Sequence, residues 1–174
     1  MQRRKLTTLV ALATAAVAPH TLADGPLLWS DNSFSYLYGK NFEVNPPIQQ
    51  TVTFEHGSSW AIGDLFTFID YTEYYVQQDD LNGDAANYGE FSPRLSFSKM
   101  MCDGPRAGFV SDMLFAATYE FGEGDVETLL LGLGLDVNVP GFDFFQFNIY
   151  QRMPSNDRDG DTVQLTPVWA LTIP

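Results

Sequence analysis

The chain has 174 residues, of which 45% are hydrophobic and 14% aromatic, and a formal net charge of −13 at pH 7. The excess of acid argues against nucleic acid as a partner, because phosphate contacts need clustered cations. A single cysteine, Cys102, excludes an intramolecular disulfide framework, and one cysteine with two histidines leaves too few ligands for a His/Cys metal site.

The N-terminal segment has the organisation of a secretory signal peptide. A basic start at positions 3–5 precedes an apolar stretch, 6–17, and a small-residue cleavage site that ends at Ala23. The apolar stretch is too short for the roughly 20 residues of a membrane-spanning helix. We therefore expect residues 1–23 to be removed on export. The remaining single domain, 24–174, carries six basic against 22 acidic residues.

Alternation of apolar and polar residues, in segments of about ten separated by turn residues, predicts β-strands through this domain. In Glu127 to Val139, leucine and valine hold the odd positions after Glu127, while Gly132, Gly134 and Asp136 are among the even ones. A helix here would be apolar all round and weakened by about 1 kcal/mol for each glycine, so a strand is favoured. We predict eight strands: 29–39, 49–56, 61–71, 88–99, 109–121, 127–138, 142–152 and 161–173.

Two architectures fit these strands. A soluble periplasmic sandwich or lipocalin-like barrel would turn the leucine and phenylalanine rows inward, whereas an outer-membrane barrel would turn them toward lipid. Strands of about 10–13 residues match a tilted membrane crossing, which favours an all-β, antiparallel transmembrane barrel. Gly132 and Gly134 would then leave space in its lumen. The predicted links alternate between a generally shorter set, 57–60, 100–108 and 139–141, and a longer set, 40–48, 72–87, 122–126 and 153–160.

Several local motifs lack the residues that their chemistry requires. The glycine pair at 132 and 134 has no third glycine and no following helix, as a dinucleotide loop would. Residues 157–161 resemble the start of a calcium loop, but the glycine falls at the wrong position, so a solvated acidic loop is favoured. His56 has no triad partner at a recognisable spacing and is predicted to have an interfacial or solvated role, whereas Trp60 is predicted to belong to an aromatic girdle at a membrane interface. We predict neither an enzyme nor a cofactor or metal site.

The polar rows of a membrane barrel bring ionisable side chains into the lumen. Lipid rejects charge, so the face of segment 61–71 that carries Asp64 and Asp70 should point inward, together with its two phenylalanines. Aromatic rings stack on flat heterocycles, and carboxylates accept hydrogen bonds from sugar hydroxyls or ring N–H groups. The same lining also fits plain packing and solvated charge. The predicted lumen contacts are Glu55, Asp64, Phe66, Phe68, Asp70, Arg94, Asp112, Glu120, Tyr150 and Arg152, with Glu90 and Asp136 on the same rows.

The order and spacing of several stretches resemble the nucleoside-specific outer-membrane channel family known as Tsx, which includes the OmpK-type proteins. The stretches are LWSDNSFSYLYGKNF, TVTFEH, WAIGDLFTFIDY, FSPRLSFSK and LLLGLGLDVNVPG leading into FNIYQR. The resemblance implies a twelve-stranded barrel with a narrow lumen that passes nucleosides by diffusion. It also implies that Asp64, Phe66, Phe68 and Arg94 lie in lumen-forming segments. OmpK-type members also serve as phage receptors through external loops.

The implied protein is thus a passive outer-membrane channel whose partners are nucleosides or similar small solutes, membrane lipid and, through its loops, phage. Two alternatives stay open: a structural or phage-receptor barrel without transport, and, less favoured, a soluble periplasmic binding barrel. Eight strands instead of twelve, and an ending of ALTIP without a terminal aromatic residue, predict a chain truncated at the C-terminus. An eight-stranded interior would be filled by side chains.

Overall fold

The computed structural model describes residues 11–21, 25–43, 46–76, 84–101, 108–124, 126–155 and 160–173, the first range for its backbone alone. The described residues form nine β-strands and one short helix. The elements in chain order are β1 (Ala11–Thr21), β2 (Leu27–Lys40), β3 (Ile48–Trp60), β4 (Gly63–Tyr75), β5 (Asp84–Ser96), α1 (Phe97–Met100), β6 (Val110–Gly122), β7 (Val126–Val137), β8 (Phe144–Pro154) and β9 (Thr162–Ala170).

The nine strands form one sheet in which each strand pairs with its neighbours in sequence. The order is β1-β2-β3-β4-β5-β6-β7-β8-β9, and every pair is antiparallel. Within the described ranges, the pairing runs linearly from β1 to β9, without a ladder between the two ends. None of the helices in these ranges has the length and apolar character that a membrane crossing requires.

All eight predicted strands are confirmed, as β2 to β9, and most of the differences lie at their ends. The predicted 57–60 link is wrong, because these residues belong to β3 and the turn to β4 is formed by Ala61 and Ile62. The 72–87 link is also too long, because β4 continues to Tyr75 and β5 begins at Asp84. The strands are 9–14 residues long, so most of the domain lies in strands and less of it in the connections between their ends.

The end of the predicted strand 88–99 is wrong as well, since residues 97–99 belong to helix α1. The Ser96 side chain caps this single turn by accepting a 3.0 Å hydrogen bond from the backbone N–H of Lys99. The Lys99 ammonium then donates to Ser59 Oγ at 3.0 Å and to the carbonyl oxygens of Trp60 at 3.0 Å and Gly63 at 3.2 Å. Helix α1 is thereby held against the turn between β3 and β4.

Strand β1 lies inside the segment predicted to be a signal peptide. Its backbone pairs with β2 from Ala11 opposite Tyr38 to Thr21 opposite Trp29, with an irregularity between Val17 and His20. The sheet therefore has one strand more than the eight predicted. Removal of residues 1–23 on export stays a prediction, and it would take β1 away from β2.

The two faces of the sheet differ in the way the alternating rows predict. On the face here called the outer face, leucine, phenylalanine and tyrosine rows are exposed, as at Leu133 and Phe91, with 49% and 46% of their surface accessible. On the opposite face, here called the inner face, Leu114, Ala116, Leu130 and Tyr150 are buried between polar side chains. The soluble alternative required the apolar rows to turn inward, so the structure contradicts it.

Candidate functional site

The inner face curves around a cavity of about 600 Å³ whose lining extends from β2 to β9. Register explains why one set of side chains converges there. Asp64 on β4 is opposite Arg94 on β5, which is opposite Ala116 on β6 and, through it, Gly132 on β7 and Tyr150 on β8. Directly opposed residues on neighbouring strands point to the same face of a sheet, so each strand contributes one residue of this series to the inner face.

Arg94 is the centre of the largest charge network on the inner face, and its side chain is 5% exposed. Its Nε and Nη2 atoms donate to the two carboxylate oxygens of Asp64 at 2.8 and 2.7 Å, and Nη1 donates to Asp136 Oδ1 at 3.0 Å. Asp136 lies on β7, two strands from β5. The guanidinium passes close to Gly134 of β7, where an added Cβ atom would lie 3.5 Å from Nη1, so the missing side chain leaves it room. A bidentate fork of this kind fixes the position of both partners.

A second arginine makes a similar bridge from the other side. Arg152 on β8 donates to Glu120 Oε2 on β6 at 2.6 Å and to Thr128 Oγ1 on the intervening β7 at 3.3 Å. Glu120 is 9% exposed and Arg152 26%. Each inner-face arginine thus spans one strand to reach a carboxylate. Arg152 neutralises one carboxylate, whereas the single charge of Arg94 is shared between two.

The remaining predicted carboxylates are held by hydroxyl groups. Glu55 accepts from Ser33 at 2.7 Å, and Asp70 accepts from Thr53 at 2.5 Å. Asp112, which is buried, accepts from Ser96 Oγ at 2.5 Å and from the backbone N–H of Ser98 at 3.2 Å. Asp112 therefore joins the start of α1 to β6.

Aromatic rings form part of the cavity wall. Phe66 lines it and is 43% exposed, so one side of its ring is open to the cavity. Phe68 follows at a centroid distance of 6.0 Å and contacts Tyr88 at 5.8 Å. Tyr150 lies deeper, at 4% exposure. Trp29 on β2 faces the same cavity, and its indole ring packs over Gly57, where an added Cβ would lie 3.4 Å from the ring.

The ten predicted lumen residues all lie on the inner face, but they divide into two groups. Five line the cavity: Asp64, Phe66, Arg94, Glu120 and Tyr150. The other five lie on the same face outside the cavity lining: Glu55, Phe68, Asp70, Asp112 and Arg152. Contact with a solute stays a prediction for all ten.

Sequence reasoning missed the uncharged polar residues of the cavity. Asn148 and Gln146 on β8, and Gln164 and Thr166 on β9, line it together with Trp29. The alternation put these polar residues on the inward rows, but our interpretation favoured charged and aromatic side chains over amides. The alternation of apolar and polar residues therefore already indicated that these amides point inward.

Two further residues lie on the outer face near the end of β3. Trp60 Nε1 donates to Ser58 Oγ at 2.9 Å, and the two ring nitrogens of His56 contact Asn32 Oδ1 at 2.8 Å and Ser58 Oγ at 3.1 Å. An interfacial role stays a prediction for both. In the described ranges, no group of three or more His, Cys, Asp and Glu side chains is arranged to hold a metal ion. Cys102 and most of the acidic loop 157–161 lie outside those ranges.

Comparison with known proteins identifies the family. A family model described as "Nucleoside-specific channel-forming protein, Tsx" matches residues 33–169, which include the described parts of β3 to β8 and most of β2 and β9. The chain belongs to this family. Tsx proteins are channel-forming proteins of the outer membrane and not an enzyme family, so the sheet is of the outer-membrane β-barrel type. Contact of its outer face with lipid stays a prediction.

Two curated relatives are both named "Outer membrane protein OmpK". The protein from Vibrio parahaemolyticus is 27% identical over 119 residues, which cover 66% of this chain and 44% of the relative. The protein from Vibrio parahaemolyticus serotype O3:K6 (strain RIMD 2210633) is 26% identical over 123 residues, which cover 66% and 46%. The chain thus spans about half the length of the curated relatives it matches. No solved structure matches it.

Proposed function

We propose that the protein is a channel for the passive diffusion of nucleosides or similar small neutral solutes, with the inner face as the lining of its lumen. The observation that carries the proposal is the open Phe66 ring at the wall of a cavity of about 600 Å³ that also holds carboxylate, guanidinium and amide groups. A nucleoside combines a flat heterocycle with a polyhydroxylated sugar, and this lining offers a partner for each.

The energetics support weak, reversible binding. Stacking of a base on an aromatic side chain contributes about 1–3 kcal/mol, enough to retain a solute briefly without trapping it. The ion pairs of Arg94 with Asp64 and Asp136 favour neutral solutes, because the charge of an arginine that is already paired attracts anionic solutes less strongly. Family membership supports the same substrate class, since the matching family model describes nucleoside-specific channels.

A second candidate function is a structural or phage-receptor barrel without transport. The observation that favours it is the packed part of the inner face, where Ala116, Leu130 and Tyr150 form a buried cluster at 0%, 1% and 4% exposure. A filled interior would stop solute flow while loops on the sheet edge met other partners. Part of the longest predicted loop, residues 77–83, lies outside the described residues.

Uptake of radiolabelled adenosine by liposomes that contain the refolded chain tests the two functions. For the channel, Phe66→Ala should lower uptake about tenfold, the effect of one lost stacking contact, and Phe68→Ala should lower it less. Phe91→Ala removes an equally exposed ring from the outer face and should leave uptake unchanged. Absence of uptake by correctly folded wild-type protein would reject the channel and favour the receptor barrel.

A further inference from the structure

One polar atom on the wall of the cavity has no partner. Asn148 is 5% exposed, and its side-chain oxygen Oδ1 is buried without a hydrogen bond; it is the one such buried side-chain atom found in the described part of the chain. Nearly all buried polar groups in folded proteins are hydrogen-bonded, and an orphan acceptor destabilises the state that contains it. Asn148 is among the residues that line the cavity, so its amide is placed to offer this acceptor to a ligand.

The neighbouring strand positions this oxygen. Asn148 is opposite Gly134 on β7 and Thr166 on β9. A Cβ atom added at Gly134 would lie 2.6 Å from Asn148 Oδ1 and 3.5 Å from Arg94 Nη1, so the amide occupies the space that the glycine leaves free. The expectation that this glycine leaves open lumen is therefore wrong, and the space holds a polar group that lines the cavity.

The strong hydrogen-bond donors nearby are already engaged in ion pairs. Arg94 donates to Asp64 and Asp136, and Arg152 donates to Glu120. A neutral solute that displaced one of these contacts would break an ion pair, at a cost that a single hydrogen bond does not offset. Asn148 Oδ1 accepts a new hydrogen bond without any such loss.

We propose that Asn148 is a specificity-determining residue of the channel, whose Oδ1 atom accepts a hydrogen bond from an N–H or O–H group of a neutral solute in the cavity. The inference rests on the proposed function and deepens it by naming a contact. In a nucleoside the donor comes from an amino group of the base or from a sugar hydroxyl. Both have the same chemistry toward an amide oxygen.

Solute binding measured by isothermal titration calorimetry on the full refolded chain in detergent micelles tests the proposal. Asn148→Leu keeps the branched shape of the side chain and removes the acceptor, and we expect adenosine to bind about tenfold more weakly. Asn87→Leu is the matched control, because Asn87 is exposed on the outer face and should tolerate the same change without loss of affinity. Adenosine binding by the Asn148→Leu protein that equals the wild type overturns the proposal.

Two adenosine analogues identify the donor. Purine riboside lacks the exocyclic amine, and 2′,3′-dideoxyadenosine lacks two sugar hydroxyls. The analogue without the relevant donor should bind wild-type protein about tenfold more weakly than adenosine but should lose nothing further in Asn148→Leu. If both analogues lose as much affinity in the variant as adenosine does, neither the amine nor these two hydroxyls is the partner. The 5′-hydroxyl is then the remaining donor, and 5′-deoxyadenosine should lose nothing in the variant; if it also loses affinity there, the proposed contact is rejected.

Thermal unfolding separates a binding role from a structural one. Because Oδ1 has no partner in the free protein, Asn148→Leu should unfold at the same or a higher temperature than wild type, while its affinity falls. A purely structural role predicts a lower unfolding temperature. Asn148→Ala is the second variant, since a smaller side chain cannot clash with Gly134 or Arg94, and the same loss of affinity is expected. Absence of nucleoside binding to wild type would reject the proposed function itself, whereas equal binding by wild type and variants rejects this inference alone.

Discussion

Two groups of polar side chains on the inner face, here called the charged half and the amide half, differ in whether their buried polar atoms have partners. In the charged half, made up of Arg94 with Asp64 and Asp136 on β4 to β7, one guanidinium is shared by two carboxylates. In the amide half, made up of Gln146 and Asn148 on β8 and Gln164 and Thr166 on β9, Asn148 Oδ1 stays without a partner, and Gln164 makes one long contact, from Nε2 to Thr166 Oγ1 at 3.3 Å. The ion pairs of the charged half hold the wall of the cavity in place, whereas the amide half has the hydrogen-bonding capacity that the proposed function assigns to a solute.

The largest expected effect comes from removing the central cation of the charged half. Arg94→Met leaves Asp64 and Asp136 without their shared partner in a site where the arginine is 5% exposed. Breaking a buried ion pair from one side destabilises by about 3–5 kcal/mol. We expect a loss of that size in the free energy of unfolding, measured by urea titration in lipid vesicles with tryptophan fluorescence as the signal.

Arg152→Met is the matched control for this variant. Arg152 is 26% exposed and pairs with a single carboxylate, Glu120, so its removal should cost less than half as much. If the two substitutions lowered the free energy of unfolding equally, the Arg94 network would stabilise the sheet no more than the Arg152 pair does. The distinction between the two halves would then fail.

A smaller effect is expected at the boundary between the halves, on β7. In Gly132→Ala the new Cβ would lie 1.8 Å from the carbonyl oxygen of Ile149, a backbone atom that cannot turn aside. Overpacking of this kind costs about 1–3 kcal/mol, since strands β7 and β8 must separate locally. Gly134→Ala meets a side-chain oxygen at 2.6 Å and should cost less. Thermal melts followed by circular dichroism compare the two, and a reversed order would contradict the close approach of β8 to β7 at Gly132.

The smallest effect is expected in the amide half itself. Gln164→Leu removes only the weak contact with Thr166, and substitutions away from core, cap or buried network positions usually change stability by less than about 0.5 kcal/mol. The same urea titration should therefore show almost no shift. A loss comparable to that of Arg94→Met would mean that the amides are structural, which would remove the contrast between the halves.

Alternation in the sequence predicted strands β2 to β9 and divided the side chains of each strand between two faces. The inward face of β4 also needed the argument that lipid excludes charge. A period of two carries both kinds of information at once, because a strand that is correctly placed has its side chains assigned to faces as well. Leu129, Leu131 and Leu133 therefore lie on the outer face as predicted, and Asp64 and Phe66 on the inner face. The face to which a side chain points follows from its position in its own strand, so it could be inferred without knowing the neighbouring strands.

Partners and turns could not be predicted in this way. Arg94 contacts Asp136 on β7, two strands away, and the register that brings the two residues together is a property of strand pairs. Gly57 and the serines after it indicated a turn, yet the glycine lies within β3, where its missing side chain admits the Trp29 ring. Glycine in a strand marks either a bend or a close approach, and local sequence does not distinguish them.

The fit of Asn148 into the space above Gly134 makes these two positions thermodynamically coupled, although 14 positions separate them in sequence. A methyl group at 134 and an amide at 148 compete for one volume, so the penalty for Gly134→Ala should shrink when Asn148 is already alanine. Family members that carry a larger residue at the position of Gly134 should then lack the amide at the position of Asn148. Divergence at this pair of sites would change the range of accepted solutes while leaving the surrounding sheet intact.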